Sequence, residues 1–220
     1  MATEEAMPIP RARAREATSA ESSWAGGTAP YGIDSKKLGM WLFIVSDAIT
    51  FSALLVVYSY VRMATPQWPR PFRLWPSIAN ATLMTAVLLS SSLTMVMAVR
   101  SARAGNRGHT VRWLLATMTG GAAFVALHAR EWLGLIDEGV RLFKNPWGTP
   151  LFGAAFFTLT GLHMTHVCIG VIYLGVVALG QALGKFQPED VEVSGLYWHF
   201  VDLVWMFIFP LVYLMSARIG

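Results

Sequence analysis

The sequence predicts an all-α membrane protein: a five-transmembrane-helix bundle preceded by a disordered N-terminal tail. Of its 220 residues, 55% are hydrophobic and only 14% are charged. The mean hydropathy is +0.48, a balance too apolar for an ordinary soluble domain. The apolar residues also fall into five long runs, separated by charged or polar segments. These observations argue against a water-soluble enzyme.

Each apolar run is long enough to cross a hydrocarbon layer of about 30 Å, which takes about 20 helical residues. Strands are excluded as the spanning form because the runs lack apolar and polar alternation, which leaves an α-helical bundle. The third run ends in a cluster of ionisable residues, and the fourth is long enough to tilt. The predicted transmembrane domain covers 38–217, with spans at 38–61, 75–99, 111–130, 149–179 and 195–217.

Residues 1–37 are rich in Ala, Glu, Arg, Ser, Thr, Gly and Pro and have no periodic apolar pattern. This composition predicts a disordered tail. It is not typical of a secretory signal peptide, because no short apolar core and cleavage site follow the charged residues. The single cysteine, Cys168, permits no intrachain disulfide and no cysteine-based metal cluster.

The net charge of +4 reflects arginines that flank the apolar runs and do not form a tract. This distribution is typical of charges that orient helices in a membrane, and it argues against nucleic-acid binding. The Lys and Arg residues near the helix ends divide equally between the two sides, and Arg11, Arg13 and Arg15 tip the balance. The sequence therefore predicts a cytoplasmic N-terminus.

Ionisable side chains within the spans are the candidate functional residues, because burying them is costly unless they are paired or face a cavity. They are Asp47 in the first span, His128 and Glu131 at the end of the third, His163 and His166 in the fourth, and His199 and Asp202 in the fifth. Depth along the helices places the first and fifth groups in the cytoplasmic half and Glu131 near the opposite surface.

Helical spacing adds detail to the fourth and fifth spans. Steps of three and four residues place His163 and His166 on one stripe of a helix, which should face other helices. His199 and Asp202 are three residues apart, so we expect them to hydrogen-bond. Pro210 removes a backbone donor and should bend the fifth helix.

Several of these residues also have structural interpretations. Interhelical hydrogen bonding in a packed bundle accounts for His163 and His166, whereas Asp47 is open to a functional role or a lipid contact. A haem held by two histidines has only His166 and His199 as a pair at plausible depths. Tryptophans near the helix ends predict an interfacial belt, namely Trp68, Trp75, Trp113, Trp132 and Trp147.

Three segments together resemble subunit III of haem–copper terminal oxidases. They are LGMWLFIVSD ending at Asp47, FFTLTGLHMTHV containing His163 and His166, and YWHFVDLVW containing His199 and Asp202. They occur in the family's order across 38–217, and Arg130-Glu131-Trp132 is similar to the family's acidic-aromatic pair.

The resemblance implies a metal-free accessory subunit of a proton-pumping cytochrome c oxidase-type complex in aerobic respiration, located in a bacterial plasma membrane. Haem and copper are expected only in partner subunits, and oxygen reduction in subunit I. The expected partners are subunits I and II and membrane phospholipids, with no nucleic acid. The residues it implies for proton uptake or lipid association are Asp47, Glu131, His163, His166, His199 and Asp202.

Two departures from the family pattern keep alternatives open. The longest family members have seven helices, and this chain matches the last five. Cytochrome c oxidase members usually carry Glu where this chain has Asp47, and quinol oxidase members often carry Asp, so the electron donor stays open. The alternatives are the equivalent subunit of a quinol oxidase or nitric oxide reductase, a stand-alone transporter, or a haem-bearing anchor.

Overall fold

The computed structural model describes residues 35–218. Within this range, five helices are long and apolar enough to cross a membrane, which confirms the predicted fold class. They are α1 (Ser35–Ala64), α2 (Ala79–Arg103), α3 (Arg107–Asp137), α4 (Pro150–Ala182) and α5 (Pro188–Ile208). The predicted tail falls largely outside the described residues, and α1 begins three residues before the predicted start of the first span.

Polar residues set the helix ends beyond the apolar runs. The Asn106 side chain accepts a hydrogen bond from the backbone N–H of His109 at 3.1 Å and caps α3. Gln187 and Asp190 form a capping box around Pro188 at the start of α5. Because α3 continues to Asp137, Glu131 lies within the helix and not just beyond its end, as the predicted span of 111–130 had it.

Glycines end three of the helices. Gly105 follows α2 with φ +72°, Gly139 follows α3 with φ +87° and Gly184 follows α4 with φ +69°, the left-handed region that other residues rarely adopt. The backbone N–H of Val140 then reaches back to the carbonyl of Leu135 at 2.9 Å, as in a Schellman ending.

The last helix is distorted at Pro210, as predicted. After α5 the chain forms a π-helical turn, Phe209–Tyr213, and a short 3-10 turn, Leu214–Ser216. Strand β2 (Ala217–Arg218) then pairs in parallel with β1 (Phe72–Arg73), which precedes the π-helical turn Leu74–Ile78 at the start of α2. These two-residue strands were not predicted, because strands this short leave no alternating pattern in the sequence.

Four helices form the packed core. α2 packs against α3 and α5, and α4 packs against the same two helices. Two tryptophans of α5 fill the interior: Trp198 is 1% exposed and Trp205 is fully buried. Each indole N–H donates to a hydroxyl of α2, Trp198 to Ser91 at 3.1 Å and Trp205 to Thr85 at 2.9 Å, so neither buried polar group is left without a partner.

Residues 44–64 of α1 are attached to this core by few side chains. Phe51 and Tyr58 are buried, whereas Val56, Val57 and Tyr60 are each more than half exposed. The Tyr58 hydroxyl lies 3.2 Å from the Ser216 hydroxyl. This apolar outer surface is suited to lipid or to another membrane-spanning chain.

Candidate functional site

The structure brings Asp47 of α1 and His166 of α4 together inside the membrane-spanning region. His166 Nε2 lies 3.2 Å from Asp47 Oδ2, with side chains 12% and 13% exposed. The contact lies within ion-pair distance but lacks hydrogen-bond geometry, and within residues 35–218 Asp47 Oδ2 has no hydrogen-bond partner. A small rotation of either side chain is therefore needed to form a direct hydrogen bond.

The second nitrogen of His166 determines what this pair can do. Nδ1 lies 2.8 Å from the carbonyl oxygen of Leu162, and since a carbonyl only accepts, Nδ1 must carry a proton. Nε2 then faces the Asp47 carboxyl group. An imidazole nitrogen and a carboxyl oxygen at this distance can exchange a proton after a small rotation.

Neighbouring side chains hold His166 in place. The Phe51 ring packs edge-on against the imidazole at a centroid distance of 5.2 Å. The Tyr197 hydroxyl of α5 donates to the backbone carbonyl of His166 at 2.9 Å. The pair is thus built from three helices, α1, α4 and α5.

His199 and Asp202 form a second polar centre, between α5 and α2. The structure shows no hydrogen bond between them among the described residues, although the two side chains interact electrostatically. Both contact Ser92 of α2: its hydroxyl lies 2.6 Å from His199 Nδ1 and also hydrogen-bonds to Asp202. Asp202 is 6% exposed, and its Oδ1 has no partner within residues 35–218. Sequence reasoning missed Ser92, although the run Ser90-Ser-Ser92 in an apolar helix was a signal.

His163 lies in an aromatic enclosure, apart from both centres. It is fully buried and donates from Nε2 to the carbonyl of Val201 in α5 at 3.1 Å, the interhelical hydrogen bond predicted as its structural interpretation. Trp205 packs 5.2 Å from its ring and 5.5 Å from that of His128, centroid to centroid. His128 is also fully buried, and neither of its nitrogens has a partner in the described part of the chain.

Glu131 is fixed separately, toward the end of α3. The Tyr213 hydroxyl donates to Glu131 Oε2 at 2.9 Å, whereas Oε1 is buried and has no partner in the part of the chain that the structure describes. Tyr213 is fully buried in the π-helical turn after α5. The distortion around Pro210 therefore carries the residue that meets Glu131.

The six predicted site residues thus occupy four places and do not form a single centre. Asp47 pairs with His166, His199 and Asp202 share Ser92, and His163 and Glu131 each have a partner of their own. Among residues 35–218, no group of three or more His, Cys, Asp or Glu side chains is arranged to hold a metal ion.

The sequence model of the family described as cytochrome c oxidase subunit III matches residues 13–217, nearly the whole chain. The chain belongs to this family. It is 34% identical to quinol oxidase subunit 3 of Bacillus subtilis over 81% of the chain and 86% of the relative. It is 33% identical to cytochrome c oxidase subunit 3 of Bacillus sp. PS3, over 83% of the chain and 86% of the relative. It is 32% identical to cytochrome bo(3) ubiquinol oxidase subunit 3 of Pseudomonas aeruginosa, over 81% of the chain and 84% of the relative.

The family assignment confirms the resemblance and places this subunit III in a terminal oxidase complex as an accessory, multi-pass membrane component. Relatives named for a quinol donor and for cytochrome c are almost equally similar. Overall identity therefore does not distinguish the two donors.

Proposed function

We propose that this subunit III packs against the catalytic subunit I of a bacterial plasma-membrane oxidase and supports proton uptake there. Oxygen reduction, haem and copper belong to the partner subunits I and II. The Asp47–His166 pair is the observation that carries the proposal, because its two largely buried groups lie close enough to share an exchangeable proton.

His199 and Asp202 support the same role on a neighbouring surface. His199 lines a cavity of about 380 Å³ together with Arg100, the Arg103–Glu192 ion pair and apolar residues of α2 and α5. A cavity of this mixed character accommodates a phospholipid head group. We propose that lipid bound there shields the Ser92 centre and that the predicted N-terminal side of the chain, including the tail 1–37, faces the cytoplasm.

The proposed role of the pair can be tested in the purified oxidase complex with Asp47→Asn, His166→Gln and the double variant. Each single substitution removes the shared proton, so we expect faster inactivation during turnover. If the two groups act as a unit, the double variant should be no worse than either single one. Asp137→Asn, at the exposed end of α3, is the matched control.

Unchanged turnover and inactivation in Asp47→Asn, with normal content of the subunit, would refute the role. An additive double variant would show that the two residues act separately.

The electron donor has two candidates. We propose cytochrome c as the donor. Two observations support the quinol alternative: Asp47 stands where quinol-type members often carry Asp, and some relatives are named quinol oxidase subunit 3. Mild-detergent purification of the complex, followed by an optical spectrum and mass spectrometry, separates them through the haem type and subunit II. Recovery of the chain alone and colourless would contradict both.

A further inference from the structure

A second cavity lies at the opposite end of α2 from the cavity lined by His199. It has a volume of about 440 Å³ and is formed by the segment before α2, the first turns of α2 and the last turns of α3. Its walls are partly apolar, with Phe72, Trp75 and Leu83 among them, and partly charged, with Arg130, Glu131 and Glu138.

Arg130 and Glu138 are available for a ligand. Both are exposed, and neither forms an ion pair in the described part of the chain. They are eight residues apart in and just after α3, about 12 Å along the helix axis. At that separation they do not neutralise each other directly. The third charged lining residue, Glu131, is buried at Oε1 and bound by Tyr213 at Oε2, so the exposed charged groups of the cavity are one positive and one negative.

These groups are ordered along the membrane normal. α3 runs outward toward its end at Asp137, so Arg130 lies deeper than Glu138. α2 runs inward from this face, and Leu83, which is 52% exposed, lies one turn into it. From the hydrocarbon outward, the cavity therefore presents first an apolar surface, then a positive group and then a negative group. The long Arg130 side chain can extend toward the head-group level.

This order complements a zwitterionic phospholipid, whose acyl chains, phosphate and ammonium follow one another outward. The geometry points to this cavity as the binding site for the head group of a phospholipid with a primary amine. Arg130 binds the phosphate, Glu138 accepts hydrogen bonds from the ammonium, and the 80% exposed Trp75 ring provides an aromatic surface for the cation.

The primary amine is the distinguishing feature. A choline group has no N–H to donate to Glu138. An anionic head group satisfies Arg130 but places a further negative charge beside Glu138. The inference adds a lipid site to the one in the proposed function. It concerns a different cavity from the one lined by His199 and does not depend on oxidase turnover.

The test measures lipid retained by the purified complex in native mass spectrometry after exchange into mixed micelles. These contain equal amounts of phosphatidylethanolamine, phosphatidylcholine and phosphatidylglycerol. Glu138→Gln and Arg130→Gln each remove one charge, and Asp137→Asn and Arg141→Gln are matched controls outside the cavity. Gly134→Leu fills the cavity without changing charge, since a Cβ on Gly134 meets no atom within 4 Å.

We expect the unsubstituted complex to retain phosphatidylethanolamine preferentially, and both charge variants to lower this retention about three- to tenfold. Gly134→Leu should abolish it, and the two controls should leave it unchanged. Equal retention of the three lipids, or a Glu138→Gln variant that retains the amine lipid normally, would overturn the inference. Retention of phosphatidylglycerol that depends on Arg130 alone would show an anion site instead.

Discussion

Gly121 of α3 tests whether close helix packing around Trp198 stabilises the bundle. A Cβ added at Gly121 would collide with the tip of the Trp198 ring and lie 2.8 Å from Val171 Cγ2. The ring has little room to retreat, because it is 1% exposed and Gly170 approaches it from α4. Gly121→Ala therefore forces either the indole or the helices to move.

The expected cost follows from three contributions. Overpacking of a core by one methyl costs about 2 kcal/mol. Displacement of the indole weakens the hydrogen bond from Trp198 to Ser91, worth about 1 kcal/mol. Alanine recovers about 1 kcal/mol through its higher helix propensity. The net destabilisation is about 2 kcal/mol, which corresponds to a lowering of the apparent Tm by roughly 4–8 °C for a chain of this size.

The assay is thermal unfolding of the purified subunit or complex at one fixed scan rate, with Gly134→Ala as the matched control. Gly134 lies in the same helix, but its added Cβ meets nothing within 4 Å, so only the helix-propensity gain remains. We expect the control to be as stable as the unsubstituted protein or more so. If Gly121→Ala were equally stable, the packing argument would be refuted.

Three further substitutions test single contacts. Ser92→Ala leaves His199 without its 2.6 Å partner, and we expect a loss of about 1 kcal/mol in unfolding free energy, whereas Ser92→Thr, which keeps the hydroxyl, should lose less. Tyr213→Phe leaves both Glu131 oxygens without a donor in the described chain, so unfolding should cost about 1–3 kcal/mol less, and an unchanged apparent Tm would contradict this. Arg103→Gln breaks an exposed ion pair, and we expect the free energy of unfolding, measured by denaturation, to fall by less than about 0.5 kcal/mol. A larger loss would show a structural role for that pair.

Much of the fold could be predicted because hydrocarbon thickness and backbone hydrogen bonding impose long apolar helices. Helix ends were less accessible to this reasoning. α3 continues to Asp137, well past the point where the apolar run ends. Its end depends on Gly139 and its positive φ, a local backbone property that hydropathy does not report.

The candidate site could be predicted only in part. Burial cost pointed to Asp47 and His166 as individual residues, but their contact depends on how α1 lies against α4. Ser92 was missed because the run of three serines in an apolar helix does not show which of them meets a partner until the opposite helix is placed. The predicted tryptophan belt is too simple for Trp132, whose ring packs 5.7 Å from His128 and 5.1 Å from Phe157.

The attachment of α1 also determines which face of this helix meets the membrane. Near its C-terminal end, Tyr58 contacts Ser216, and Arg62 donates to the carbonyl of Met215. About three turns away, the Asp47–His166 contact is the next polar connection to the core that the structure shows. Phe51, buried between these two points, packs against His166 and Phe200. Asp47, Phe51 and Tyr58 therefore hold α1 along one face, and the opposite face of the helix is left to the surrounding membrane.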